Sequence, residues 1–165
     1  FREKILTHLG MDAIRTYCRI AYLDYSKNIG ATEAEIQEYV DHASVKYQEL
    51  NLSPKKLTIR DDPHFRWQPG RKIHFATGAR PKDYECFAIG ECTKVADLFF
   101  HFYEDYSFSM KLDGIPLNQD EMYQLALDDG FDSWEDFSAF HIPKTKSGIP
   151  FFPPNGWMRK RVIYF

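Results

Sequence analysis

Apolar residues recur along this chain with two different periods, and each period predicts a different element. Residues 2–8 read as a short helix. Met11, Ile14, Cys18, Ala21, Tyr22, Tyr25 and Ile29 then fall at steps of three and four, one apolar stripe on a second helix. Asn28 and Gly30 tolerate the left-handed conformation that ends it. Thr32, with Glu35 three residues on, has the spacing of a capping box and opens a third helix. The stripe of that helix is Ile36, Tyr39, Val40, Ala43, Tyr47 and Leu50, and Pro54 stops it. Two amphipathic helices joined by a short link form an αα-hairpin, whose apolar faces must be buried against something.

From Lys55 the period drops to two. Leu57 and Ile59 alternate with Lys56, Thr58 and Arg60, as in a half-buried strand that presents an amine, a hydroxyl and a guanidinium on its polar face. Pro69-Gly70 is a turn dipeptide, because proline presets φ and glycine accepts positive φ. Ile73, Phe75 and Thr77 restart the alternation, and 77–82 reads as an exposed loop. Residues 86–95 read as one strand with a bulge at Gly90. Leu98–Phe102 and Tyr106–Leu112 read as two more, with turns at Glu104-Asp105 and Asp113-Gly114. Asn118 with Glu121 predicts a capped helix to about Leu127, and Asp132 with Glu135 a shorter one to about Phe140. Residues 142–157, rich in Pro and Gly, read as an irregular loop, and 161–165 as a closing strand. Five to six short strands with a few helices make an α+β fold.

At 165 residues the chain suits a single domain over 1–165, with 44% hydrophobic and 16% aromatic content. No stretch approaches the roughly 18 apolar residues of a membrane span, so no membrane partner is expected. No signal peptide is visible, and the chain starts at Phe1 instead of Met. The cysteines, Cys18, Cys86 and Cys92, are odd in number and form no C-x-x-C pattern, which suggests free thiols and a cytoplasmic setting. The net charge of −3 is no signature of a nucleic-acid binder, but its distribution changes the picture. Residues 54–82 carry eight Lys/Arg against two acids, and 141–165 carry five against none. Residues 104–136 carry ten acids against one lysine. Such segregation sets a basic patch apart from an acidic wall.

Three stretches of the sequence carry a resemblance: Lys55-Lys56-Leu57-Thr58-Ile59-Arg60, Arg66-Trp67-Gln68-Pro69-Gly70, and Lys72-Ile73-His74-Phe75. The first is a Lys-x-x-Thr-Ile-Arg strand, and in this order the three resemble the ASCH family of the PUA-like superfamily. Phe1–Leu6 resembles the family's first helix. Asp128–Phe137 resembles its acidic-Gly-Phe segment with the helix that follows, and Val162–Phe165 its last strand. The resemblance covers residues 1–6 and roughly 54–165. It implies a PUA-like β-barrel of five to six strands with flanking helices. Residues 7–54 stand where the family has a short turn, so they form a helical hairpin insertion: a cover for the core or a sheet edge, or a lid or surface for a protein partner.

The same resemblance implies what the barrel cleft binds: RNA or a modified nucleoside, held by the lysine strand. Some family members remove the acetyl group from N4-acetylcytidine. Carried over, their lysine falls on Lys55, their threonine on Thr58 and their acid on Asp129, where the family's amidases have Glu and where Asp128 is the neighbouring alternative. Thr58 would be the nucleophile, Lys55 a desolvated base and Asp129 its orienting acid. In the binding reading Lys55, Arg60, Arg66, Arg71, Arg80 and Lys82 would contact phosphates, while Trp67, Phe65 or Tyr84 stack a base. A metal-independent ribonuclease, with His64 and His74 as acid and base, is the third reading. The six histidines show no metal-ligand spacing, and neither metal nor cofactor is expected.

Overall fold

A computed structural model describes residues 2–26, 30–49, 54–77, 84–105, 107–145, 147–151, 153 and 156–165. In order, the elements are α1 (Arg2–Leu9), α2 (Met11–Ser26), α3 (Glu33–Glu49), β1 (Leu57–Arg60), β2 (Lys72–Thr77), β3 (Glu85–Glu91), β4 (Lys94–Phe102), β5 (Phe108–Leu112), β6 (Ile115–Pro116), α4 (Gln119–Asp128), α5 (Trp134–His141) and β7 (Trp157–Tyr164). The chain divides into two compact units, one of Phe1–Lys55 with Lys72–Gly90 and one of Lys56–Arg71 with Glu91–Phe165. Helix and antiparallel sheet are mixed, which makes the class α+β. The strands form an open five-stranded sheet, β1-β7-β4-β5-β6, and a two-stranded one, β2-β3; no pairing among the described residues closes a barrel.

In the first unit Ile14 and Cys18 of the expected α2 stripe and Ile36 and Val40 of the α3 stripe are buried, while Met11, Ala21, Tyr22 and Ala43 are half-buried. Tyr39 is 43% exposed and stacks on Tyr22, ring centroids 4.5 Å apart. Thr32 and Glu35 form the expected reciprocal cap, with Thr32 N–H donating to the Glu35 carboxylate at 2.7 Å. Asn28 and the 78–82 part of the predicted loop, with Arg80 and Lys82, lie outside the described residues. Phe75 and Phe87 pack together from β2 and β3, and Arg2 of α1 lies over the Phe87 ring. Gly90 lets the Phe75 ring approach closely, since a Cβ there would sit 3.0 Å from it.

The second unit is built on the five-stranded sheet. Leu57, Ile59, Ala96, Leu98, Phe100, Met110 and Val162 face one side and bury against Leu125 and Ala126 of α4 and Phe137 of α5. Each fully buried Phe or Leu of this kind stabilises the fold by about 1.5–3 kcal/mol relative to exposure. Asn118 and Glu121 make the expected capping box of α4. The cap of α5 lies one residue later than expected: Ser133 accepts from Asp136 N–H, and Asp132 stays outside the helix.

The predicted strand over 86–95 is in fact two. The ladder passes from one sheet to the other at Cys92-Thr93, whose N–H groups bond Arg71 and Tyr164. The final strand begins at Trp157, not 161, because Arg159 and Lys160 continue the ladder with β4. The Asp113-Gly114 turn forms as expected, with φ of 49° and 84°, and its short return strand β6 follows. No described helix is long and apolar enough to cross a membrane.

Candidate nucleic-acid interface

The loop between β1 and β2 is organised by one buried carboxylate. Asp62 accepts hydrogen bonds from the backbone N–H of Arg66 (2.9 Å) and of Trp67 (3.1 Å), and its side chain is fully buried. Burial pushes its pKa up, but the two amides and the Arg66 and Arg161 guanidiniums outweigh that and hold it below the ordinary aspartate range. The turn at Gly70 (φ 85°) is pinned by its N–H to Cys92 O at 2.8 Å, and Arg71 Nη1 bonds the Arg66 carbonyl. Arg66 and Arg71 thus stand exposed on a fastened loop, with the Arg71 guanidinium 5.4 Å from the centre of the half-buried Trp67 ring.

Replacing Asp62 with alanine leaves two loop amides without their acceptor. The expected cost is about 1–3 kcal/mol, read as a lower midpoint in urea unfolding. Because the folded-state pKa is depressed, the Asp62 contribution is present above about pH 4 and fades as pH falls through the folded value.

Beside this loop, the sheet face turned away from the core carries a row of charge. Register places Arg60 opposite Arg161, and Arg161 opposite Asp97. Asp97 accepts from Arg159 at 2.8 and 2.9 Å and from Arg161 at 2.9 Å, fixing both guanidiniums. Phe65 lies over them, its ring centre 4.8 Å from the Arg159 guanidinium and 5.2 Å from that of Arg161. Phe65 is 47% exposed and has φ of 51°, a left-handed conformation that a bulky residue rarely adopts. A depression of about 440 Å³ opens here, lined by Asp61, Asp62, Pro63, Phe65 and Arg159–Arg161. Lys160 alternates to the other face of the strand and pairs with Asp61 at 3.6 Å.

The expected site residues fall into separate groups. Thr58 and Arg60 are together, with Arg60 Nε donating to Thr58 Oγ1 at 3.4 Å on the face away from the core. Arg66, Trp67 and Arg71 share the loop. Asp129 is instead in the helical layer on the core side, 4% exposed, with Oδ2 3.8 Å from His141 Nε2. Asp128 is held by Lys56, Nζ to Oδ1 2.9 Å. Lys55 belongs to the first unit, is 6% exposed, and its N–H donates to Lys4 O at 3.1 Å. Tyr84 and His74 also lie in the first unit, while His64 is an exposed loop residue of the second.

In the sequence Arg159 and Arg161 stand out only as part of a charge block. Their spacing of two on a strand was the available signal, since it puts both on one face. Among the described residues, no group of three His, Cys, Asp or Glu side chains could hold a metal ion. The fold defines the chain as α+β. No family model matches it, and searches of curated proteins and of solved structures return no significant match.

Proposed function

We propose that this chain is an ASCH-type, PUA-like domain that binds single-stranded RNA or a modified nucleoside through its second unit. The observation that carries the reading is Phe65, an exposed ring held in a strained backbone conformation beside two fixed guanidiniums. Strain of this kind persists where the surroundings enforce it, and it clusters at ligand sites. A base stacked on Phe65 would meet a cationic surface: Arg60, Arg66, Arg71, Arg159 and Arg161 stand against three carboxylates, Asp61, Asp62 and Asp97. Asp97 and Asp62 orient arginines here while reducing their charge only in part. Arg60 and the loop arginines, all exposed, are the groups placed to meet phosphates.

Binding is favoured over hydrolysis because Asp129 is buried beside His141, 3.8 Å from its Nε2, whereas the Thr58 hydroxyl accepts from Arg60 Nε. A nucleophile and its acid need a shared reacting atom within hydrogen-bond reach.

The test is affinity for short oligouridine, measured by fluorescence anisotropy from ~50 to ~200 mM salt. Arg60→Ala with Arg66→Ala is expected to weaken binding at least tenfold at low salt and to lower the salt slope by about two. Neither chain cleavage nor release of acetate from N4-acetylcytidine is expected. Turnover that disappears in Thr58→Ala would replace this reading with the hydrolase one.

A further inference from the structure

A second concavity lies in the same unit, between the first turns of α4 and α5 and the start of β5. It measures about 620 Å³ and is lined by Phe108, Met122, Trp134 and Ile142 on its floor, with Asp120, Tyr123 and Glu135 among its exposed rim residues. Phe108 and Trp134 lie 5.3 Å apart, centroid to centroid, and Tyr123 is 46% exposed. Among the described residues, no lysine, arginine or histidine lines it.

The acids of the two helix starts divide into two kinds. The Glu121 carboxylate accepts from Asn118 N–H, and that of Asp136 from Ser133 Oγ, so both complete helix caps. The carboxylates of Asp120 and Glu135, one position earlier in each case, take no hydrogen bond or ion pair among the described residues, and both border the groove. Two unneutralised carboxylates over an aromatic floor form an environment that a cation with an apolar stem satisfies: the head meets the carboxylates and π faces, and the stem covers the floor. The open groove is larger than one side chain, and acids extend beyond it through 104–136.

We infer that this groove docks a basic polypeptide segment, seating an arginine or lysine between Asp120 and Glu135 on the Trp134 and Phe108 rings. Nucleic acid is excluded by the sign of the charge. The inference stands independently of RNA binding at the Phe65 face, since no residue is shared.

The probe is a fluorescein-labelled peptide Gly-Arg-Leu-Arg-Gly, titrated with the full chain. Binding is expected to be salt-sensitive, to weaken at least tenfold in Asp120→Asn/Glu135→Gln, and to weaken severalfold in Tyr123→Ala. A control, Glu91→Gln/Glu104→Gln, removes the same charge from exposed positions outside the groove and should keep the wild-type affinity. All these positions are exposed, and an unchanged melting temperature confirms the fold of each variant. Absence of binding overturns the inference. So does equal weakening in the control, which would reduce the effect to net charge. Competition by free arginine amide at the peptide's own affinity also overturns it, because the groove would then be a small-cation site. Retained peptide binding in Arg60→Ala/Arg66→Ala supports it, whether or not oligouridine binds the wild type.

Discussion

Alanine at both Phe65 and Trp67 is expected to weaken oligouridine binding by roughly ten- to a hundredfold, from base stacking worth about 1–3 kcal/mol per base. The two rings differ in how they are held. Trp67 is anchored by its own backbone N–H on Asp62, and Phe65 by its N–H to Asp62 O at 3.2 Å. Both anchors are main-chain bonds, so truncating the side chains leaves the loop fastened. Neither ring belongs to the core, so the melting temperature should change little while affinity falls. The salt slope should stay near the wild-type value, because no cation is removed. That pattern separates stacking from the arginine substitutions, which act on slope and affinity together.

The second large effect concerns His141, a residue buried for reasons other than RNA. Its side chain is fully buried among Phe100, Phe131, Phe137 and Phe140, with ring centroids 4.5–6.2 Å away. Neither ring nitrogen has a hydrogen-bond partner among the described residues, and Nε2 faces Asp129 at 3.8 Å. Burial lowers its pKa most. Asp129 and, more weakly, Asp61 oppose that, while Lys160 adds to it.

The folded pKa is therefore below the unfolded value of about 6.5, so the unfolded chain takes up the proton first. Stability from neutral His141 is complete above that pH and is lost as pH falls toward the folded value. The slope from this one proton is at most about 1.4 kcal/mol per pH unit. His141→Phe is expected to fold and to flatten the dependence of the urea midpoint on pH between about 5 and 7. His141→Ala should cost on the order of 2–4 kcal/mol at neutral pH through the cavity it leaves. An unchanged pH profile in His141→Phe would assign the acid sensitivity between those values to other groups; Asp62 acts only below about pH 4.

Much of the local structure was legible in the sequence because local chemistry determines it. The Thr32–Glu35 and Asn118–Glu121 boxes involve partners three residues apart. The alternation of Leu57 with Ile59 is the strand's own periodicity. What escaped is long-range. Nothing near Cys92 shows that the ladder changes sheets there, since that depends on partners as distant as Arg71 and Tyr164. The shift of the α5 cap from Asp132 to Ser133 is a competition between adjacent residues that both suit the position.

The candidate site was legible in part. Its loop, with Arg66, Trp67 and Arg71, follows from the motif and the Pro69-Gly70 turn. The Arg159–Asp97–Arg161 arrangement does not, because it is made by pairing strands some sixty residues apart. Spacing also could not tell that Asp129 is buried against His141, which needs α4 and α5 packed together.

The indole N–H resonances of Trp67, Trp134 and Trp157 can be assigned by Trp→Phe substitution and followed by NMR as oligouridine is added. Binding at the Phe65 face predicts that the Trp67 resonance moves, saturably and less so at high salt, while that of Trp134 in the acidic groove stays in place. A Trp67 resonance that does not move at saturating RNA would contradict it.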